Sequence, residues 1–157
     1  DTVEAVKAVG VVEPVEFFAR AHALEDARNS SRELFDDLAS AYTRANNLRD
    51  AKLGEDTDAA LFGAEEKALS EAVDVAAARV PQALETGDYA AALTQLAELR
   101  GPIDAFFDAV MIMDEDEALR ANRLRLLNRF VAVFRDVADF GKLAPAKAKG
   151  KGKKKNK

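Results

Sequence analysis

Residues 101–140 read GPIDAFFDAVMIMDEDEALRANRLRLLNRFVAVFRDVADF, which divides into two helix-forming blocks with a short break between them. Gly101 followed by Pro102 is typical of one helix ending and the next beginning. In the first block, apolar residues recur with the period of one helix face: Ile103, Phe106, Phe107, Val110 and Met111. Met113 and the acidic run at 114–117 interrupt this period. Carboxylates suit the positive N-terminal end of a helix, so the acidic run indicates where the second helix starts.

The second block predicts a helix that continues to about Phe140. One side of it is apolar and consists of Leu119, Leu124, Leu127, Phe130, Val131, Phe134 and Val137. The helical period predicts that Arg125, Asn128 and Arg129 point away from this side.

Arg123 falls near the middle of the apolar side, and Arg120 lies at its edge. A cation on the apolar side of a helix is costly unless a carboxylate pairs with it. We therefore expect Arg123 to be largely buried and paired, most simply with Asp104 or Asp108 of the preceding block.

The rest of the chain shows the same helical character. A short helix is predicted over residues 2–9, and Pro14 opens the next one. Ala64 begins a long helix, within which Pro81 predicts a kink or break. Gly87 followed by Asp88 predicts a stop and a cap. The sequence thus predicts an all-α bundle of about six or seven helices, each about 10–20 residues long.

Composition excludes several classes of site. The chain has 157 residues, one histidine and no cysteine, so disulfides and thiolate metal sites are excluded. The carboxylates at 114–117 raise the alternative of a metal site, but no companion ligand motif accompanies them, and a helix start is the preferred interpretation. No phosphate-binding glycine loop and no nucleophile motif occurs, so the residues indicate no catalytic residue, no metal and no cofactor. Without a run of eighteen apolar residues, we expect no membrane-spanning segment.

Charge is unevenly distributed along the chain. The net charge is −5, but residues 142–157 contain eight lysines and no acid, so the remainder carries −13. The lysine-rich segment has no apolar period, and its like charges repel, so it is predicted to be disordered. We therefore predict a helical domain over residues 1–140 and a basic tail over 141–157. A body this acidic is not typical of a general nucleic-acid binder.

Two polar clusters suggest a binding surface. Residues 41–50, AYTRANNLRD, contain Arg44 and Asn47, and residues 118–124, ALRANRL, contain Arg120, Asn122 and Arg123. Arginine offers a planar fork for phosphates and base edges, and asparagine both donates and accepts hydrogen bonds. The alternative is that these side chains are solvated or paired internally, as many helix arginines are. From the residues alone, the solvated or internally paired interpretation is preferred, because exposed arginines are common on helices.

Residues 106–127, FFDAVMIMDEDEALRANRLRLL, resemble the end of the beta subunit of bacterial-type, two-subunit glycyl-tRNA synthetase. The family pattern has two phenylalanines and an aspartate, then V-M-V-M, an acidic stretch and R-x-N-R-L-x-L-L. The region is the family's DALR anticodon-binding domain, whose name residues 117–120 nearly spell. Residues 43–50 are similar to the family's K-R-v-x-N-I-l segment, with threonine in place of the lysine. Residues 3–24 are similar to the segment before it, so the resemblance covers about residues 1–140.

The resemblance implies an all-helical module that binds the anticodon region of glycine tRNA. It implies tRNA contacts at Arg44, Asn47, Arg120, Asn122 and Arg123, and we expect the first three to be accessible in one concave region. It also implies an α2β2 ligase in which the alpha subunit uses ATP and Mg²⁺ to attach glycine, with no cofactor in this segment. Residues 137–143, VADFGKL, resemble cyanobacterial and plastid endings, so the implied location is the bacterial cytoplasm or the plastid stroma. The alternative is a helical interaction or assembly module that does not contact RNA.

Overall fold

Six α-helices follow one another in residues 14–30 and 32–138, the part of the chain that the computed structural model describes. They are α1 (Pro14–Ser30), α2 (Arg32–Leu48), α3 (Ala64–Glu85), α4 (Tyr89–Ala97), α5 (Arg100–Ala109) and α6 (Glu117–Phe134). Two 3₁₀ turns, Ala51–Leu53 and Ala59–Leu61, join α2 to α3. These ranges contain no strand, which confirms the all-α prediction, and none of their helices has the length and apolarity needed to cross a bilayer. The predicted helix over residues 2–9 and the basic tail lie outside the described residues.

Aspartate caps begin α4 and α6 where the sequence predicted them. The Asp88 carboxylate accepts from the Ala91 N–H at 3.0 Å, and Gly87 before it adopts a left-handed φ of 72°. The Asp116 carboxylate accepts from the Leu119 N–H at 3.2 Å. Each cap satisfies a backbone donor that the first turn leaves unpaired. The acidic run at 114–117 therefore begins α6, as predicted.

Two predicted breaks differ from the structure: the helix is not broken at Pro81, and the break expected at Gly101 lies at residues 98–99. Helix α3 continues through Pro81 to Glu85. Pro81 is exposed and lies in the last turns of α3, where few backbone bonds follow it. Helix α5 begins before Gly101: its first hydrogen bond runs from the Ile103 N–H to the carbonyl of buried Leu99, at 3.0 Å. A proline in the first turn lacks only a donor that has no partner within the helix, so Pro102 does not delay the start.

The core is centred on α6, against which α2 and α3 lie. Phe106, Phe130 and Phe134 are fully buried, and the Phe134 ring lies 5.2 Å from the Tyr42 ring between centroids. Burying one such ring contributes roughly 1.5–3 kcal/mol. The predicted apolar side is buried except for half-buried Leu119, and further positions such as Leu126 are buried too. Helix α6 is thus covered over more of its circumference than the apolar side alone indicated.

The prediction that Arg125 and Asn128 point away is wrong. Asn128 is 5% exposed, and its Nδ2 donates to the carbonyls of Asp50 at 2.8 Å and Gly54 at 2.7 Å. Arg125 Nε donates to the Leu53 carbonyl at 3.1 Å. The segment of 3₁₀ turns between α2 and α3 lies along this side of α6. Its backbone carbonyls need donors, and the polar side chains of α6 provide them.

Arg129 is likewise directed into the structure. Its Nη1 donates to Thr57 Oγ1 at 3.0 Å and to Ser70 Oγ at 2.9 Å, and its Nη2 pairs with Asp74 of α3. The side chain is 16% exposed. Arg129 therefore joins α6 to α3 and to the connecting segment.

Candidate nucleic-acid interface

Arg44 lies on the exposed side of α2 and stacks on an aromatic ring of α5. Its guanidinium carbon is 4.2 Å from the centroid of the Phe107 ring. Phe107 is half-buried, with its ring 5.8 Å from the Phe106 ring in the core. An exposed contact of this kind contributes about 0.5–1 kcal/mol. It holds the planar cation in a defined orientation while the arginine side chain stays exposed.

A cleft of about 420 Å³ adjoins this stack. It is lined by Asp37, Ser40, Ala41, Arg44, Asp104, Phe107 and Asp108. Asp37 pairs with Arg100 at 2.6 Å, which neutralises part of the acidic charge. Burial raises the pKa of Asp104, Arg100 opposes that rise, and the neighbouring carboxylates of Asp37 and Asp108 add to it. The surface beside Arg44 therefore combines one stacked cation with several hydrogen-bond acceptors, and it is not uniformly positive.

Arg123 is largely buried and paired, as predicted, but its partners are different. Its Nε lies 3.2 Å from Glu66 Oε1 of α3, and its Nη1 lies 3.4 Å from Asp114 Oδ2. The side chains of Arg123 and Glu66 are 13% and 3% exposed. The predicted pairing with Asp104 or Asp108 is wrong. Glu66 is remote from Arg123 in sequence. It lies in the first turn of a helix, where an acidic side chain is ordinarily exposed to solvent and interacts with the helix dipole.

Arg120 and Arg123 both hold the segment that joins α5 to α6. Arg123 Nη1 donates to the Met111 carbonyl at 2.6 Å, and Arg120 Nη1 donates to the Asp114 carbonyl at 3.2 Å. Arg120 is half-buried. Both arginines position the backbone of this segment, and the tRNA contacts expected at Arg120 and Arg123 stay predictions.

Asn122 is 1% exposed and binds the connection between α2 and α3. Its Oδ1 accepts from the Asp58 N–H at 2.7 Å, and its Nδ2 donates to the Asp58 carbonyl at 3.0 Å. Both ends of the amide are therefore occupied by the backbone of one residue. This geometry leaves neither end of the Asn122 amide unpaired; the tRNA contact expected at Asn122 stays a prediction.

The structure brings some of the predicted residues together. Asn47 is exposed on α2 and lies one turn from Arg44, so both are on neighbouring surface. Arg44 covers Phe107, and the segment that begins three residues after Phe107 is the one held by Arg120 and Arg123. A single concave region containing Arg44, Asn47 and Arg120 remains a prediction.

Sequence reasoning missed the carboxylates beside Arg44, because Asp37 and Asp104 lie on different helices and share no motif. It placed Phe107 on the apolar side of its helix without identifying it as a platform for Arg44. In residues 14–30 and 32–138, no group of histidine and acidic side chains is arranged to hold a metal ion.

Comparison with known proteins places the chain in a family. Residues 38–140 match the DALR anticodon binding domain. The chain is 43% identical over 147 residues to the glycine–tRNA ligase beta subunit of Vibrio cholerae, an alignment that covers 91% of this chain and 21% of the relative. It is 42% identical over 145 residues to the same subunit of Geobacter metallireducens, covering 92% and 21% respectively. The chain spans about a fifth of the length of these relatives. The family predicted from residues 106–127 is confirmed: the chain belongs to the DALR anticodon binding domain family.

Proposed function

We propose that this chain is the anticodon-binding part of a glycine–tRNA ligase beta subunit and binds the anticodon region of glycine tRNA. The match over residues 38–140 and the identity to several beta subunits support this. The segment is non-catalytic within an ATP-dependent ligase. The alpha subunit, in an α2β2 assembly, carries the reaction and uses ATP and Mg²⁺. The enzyme acts in a bacterial cytoplasm or a plastid stroma.

The observation that carries the proposal is the exposed Arg44 guanidinium stacked on Phe107 beside the cleft of about 420 Å³. RNA is recognised at an anticodon through splayed bases that stack on flat groups and form hydrogen bonds along their edges. Arg44 offers a flat cation, and Asn47 one turn away offers a donor and an acceptor. The carboxylates of Asp104 and Asp108 can accept from exocyclic amino groups of a base.

Arg120 and Arg123 take a positioning role in this proposal. Arg120 binds the carbonyl of Asp114, and Arg123 binds the carbonyl of Met111. Both thereby fix the segment that follows the Phe107 helix. Their replacement is expected to alter tRNA binding through the shape of this segment and through stability.

A second candidate function is an assembly module that does not contact RNA. The acidic lining of the cleft favours it, because the carboxylates of Asp37, Asp104 and Asp108 repel phosphate. The charge of −13 outside the lysine-rich segment acts in the same direction. One titration distinguishes the two functions.

The test is a binding titration of the full enzyme with glycine tRNA and with an anticodon-swapped variant at fixed salt. We expect the cognate tRNA to bind more tightly, and Arg44→Ala to weaken that binding by about 1–3 kcal/mol while reducing the difference between the two tRNAs. Arg79→Ala is the matched control: it removes an exposed arginine from a different helix, α3, and should leave both affinities unchanged. Equal affinity for both tRNAs, unaffected by Arg44→Ala, would favour the assembly module.

A further inference from the structure

The segment between α5 and α6 exposes the only two methionines of the chain. Met111 is 71% exposed and Met113 is 61% exposed, whereas Ile112 between them is 7% exposed. The alternation directs one apolar side chain into the core and its two neighbours outward. Single exposed apolar residues are ordinary on a protein surface, but neighbouring ones on a fixed segment indicate an interaction site.

This segment is held at several points. Arg123 Nη1 donates to the Met111 carbonyl at 2.6 Å, and Arg120 Nη1 donates to the Asp114 carbonyl at 3.2 Å. Buried Ile112 anchors the backbone between these two bonds. Both methionines therefore project from an ordered support. Methionine is flexible and polarisable, which suits an apolar contact with another surface.

The charges around the methionines define the occupant. Glu115 and Glu117 are exposed shortly after Met113, and Asp108 is exposed shortly before Met111. These acids repel RNA phosphate, and in a contact between two copies of this chain they would face their own like charges. A complementary surface has an apolar hollow with lysine or arginine at its rim.

We infer that Met111 and Met113 dock into an apolar hollow, rimmed by lysine or arginine, on another part of the same longer polypeptide. This inference rests on the proposed function, in which the chain is one part of a beta subunit. The curated relatives are about five times as long as the region they share with this chain, so most of such a subunit lies outside the structure. The docked segment would fix the anticodon-binding module against the rest of the subunit.

Methionine oxidation tests the inference directly. The full-length beta subunit is treated with dilute hydrogen peroxide, and the peptide containing both methionines is followed by mass spectrometry. Because oxidation follows solvent exposure, we expect both sites to react at least about tenfold more slowly in the native subunit than after denaturation. Rapid oxidation in the native subunit would overturn the inference. So would protection that appears only when the alpha subunit or tRNA is added.

Charge variants test the rim. Glu115→Lys should increase oxidation of both methionines severalfold, because it places a cation against the basic rim. Glu85→Lys is the matched control, since this exposed residue lies about 28 Å along α3 from Glu66, which binds Arg123. Unchanged protection in Glu115→Lys would overturn the charge complementarity. The tRNA titration distinguishes failure of the docking inference from failure of the proposed function. Selective tRNA binding with unprotected methionines would overturn only the docking inference. Protected methionines without selective tRNA binding would overturn only the proposed function.

Discussion

Arg123 joins three parts of the fold through one guanidinium: α6, the Glu66 carboxylate of α3 and the segment that follows α5. Glu66 is 3% exposed, and its Oε2 is buried with no hydrogen bond from the described residues. Arg123 is therefore the main partner of this carboxylate. Arg123→Ala is expected to lower the free energy of unfolding by about 3–5 kcal/mol, because it leaves a buried charge without compensation. Urea denaturation of the variant and the parent chain measures this difference.

A double variant separates the ion pair from general packing at this site. Replacing Arg123 and Glu66 together by leucine should recover much of the loss, because no unpaired charge then remains in the core. Arg79→Ala, at an exposed position on α3, should change stability by less than about 0.5 kcal/mol. An Arg123→Ala variant as stable as the parent would show that solvent or another group compensates Glu66.

Asp104 gives the cleft a pH dependence of known sign. Burial and the neighbouring carboxylates of Asp37 and Asp108 raise its pKa above the ordinary 3.8, although Arg100 opposes the rise. The folded state therefore takes up this proton at higher pH than the unfolded chain does. The contribution of Asp104 to stability is most favourable below 3.8 and declines as the pH rises through the raised pKa.

Asp104→Asn is expected to be more stable than the parent chain above this window. The difference should shrink as the pH falls, because the parent carboxyl then becomes neutral as well. Thermal unfolding of both proteins from about pH 3 to 7 measures the difference in stability. Because the other carboxylates are present in both proteins, their contributions cancel in this difference. Asp56→Asn, at an exposed loop position, is the control. A stability difference that grows towards low pH would contradict the expected sign.

At the scale of elements, α6 organises the connection between α2 and α3 through two buried amides. Asn122 binds both backbone groups of Asp58, and Asn128 binds the carbonyls of Asp50 and Gly54. A buried carbonyl left without its donor costs about 1–3 kcal/mol. The two 3₁₀ turns of this connection contain no buried residue of their own, so these amides are a main part of what fixes them.

Asn128→Ala should therefore loosen residues 50–62 before the rest of the bundle. Hydrogen exchange followed by mass spectrometry should show faster exchange in this connection, with exchange in α4 unchanged. Asn47→Ala, which removes an exposed amide on α2, is the matched control and should leave the connection protected. Uniform acceleration throughout the protein would instead indicate a global loss of stability.

The helices were predictable where a local signal exists. The period of the apolar residues located the core side of α6, and the aspartates before α4 and α6 cap them as expected. The partners of the polar residues were not predictable. Asn128 binds backbone carbonyls 74 and 78 residues away, and backbone groups carry no sequence signal. The position of Arg123 on the apolar side of α6 predicted a carboxylate partner, but only the packing of α3 on α6 determines that this partner is Glu66.

At the scale of the whole molecule, the acidic body constrains how RNA can approach. Outside residues 142–157 the chain carries −13, and the cleft beside Arg44 contains several carboxylates. Long-range attraction to phosphate therefore does not come from the body. Under the proposed function, the body therefore recognises RNA at short range, through stacking and hydrogen bonds near Arg44, and this recognition should be only weakly dependent on salt.

The lysine-rich segment at 142–157 has the opposite sign and is expected to contribute the salt-dependent part of binding. It contains eight lysines and no acid, so any interaction with RNA is electrostatic and indifferent to base sequence. Removing it from the full enzyme should weaken the binding of cognate and anticodon-swapped tRNA equally. The plot of log affinity against log salt should become shallower by about 0.7 for each single-strand phosphate that the lysines no longer neutralise.

The measurement is tRNA affinity across a series of salt concentrations, with and without residues 142–157. Substituting glutamine for the eight lysines gives a control of the same length, and it should reproduce the deletion if charge alone matters. Equal slopes and equal affinities would exclude the segment from RNA binding. Loss of discrimination between the two anticodons on deletion would contradict the division of roles, because lysine side chains offer positive charge to phosphates but no acceptor with which to distinguish base edges.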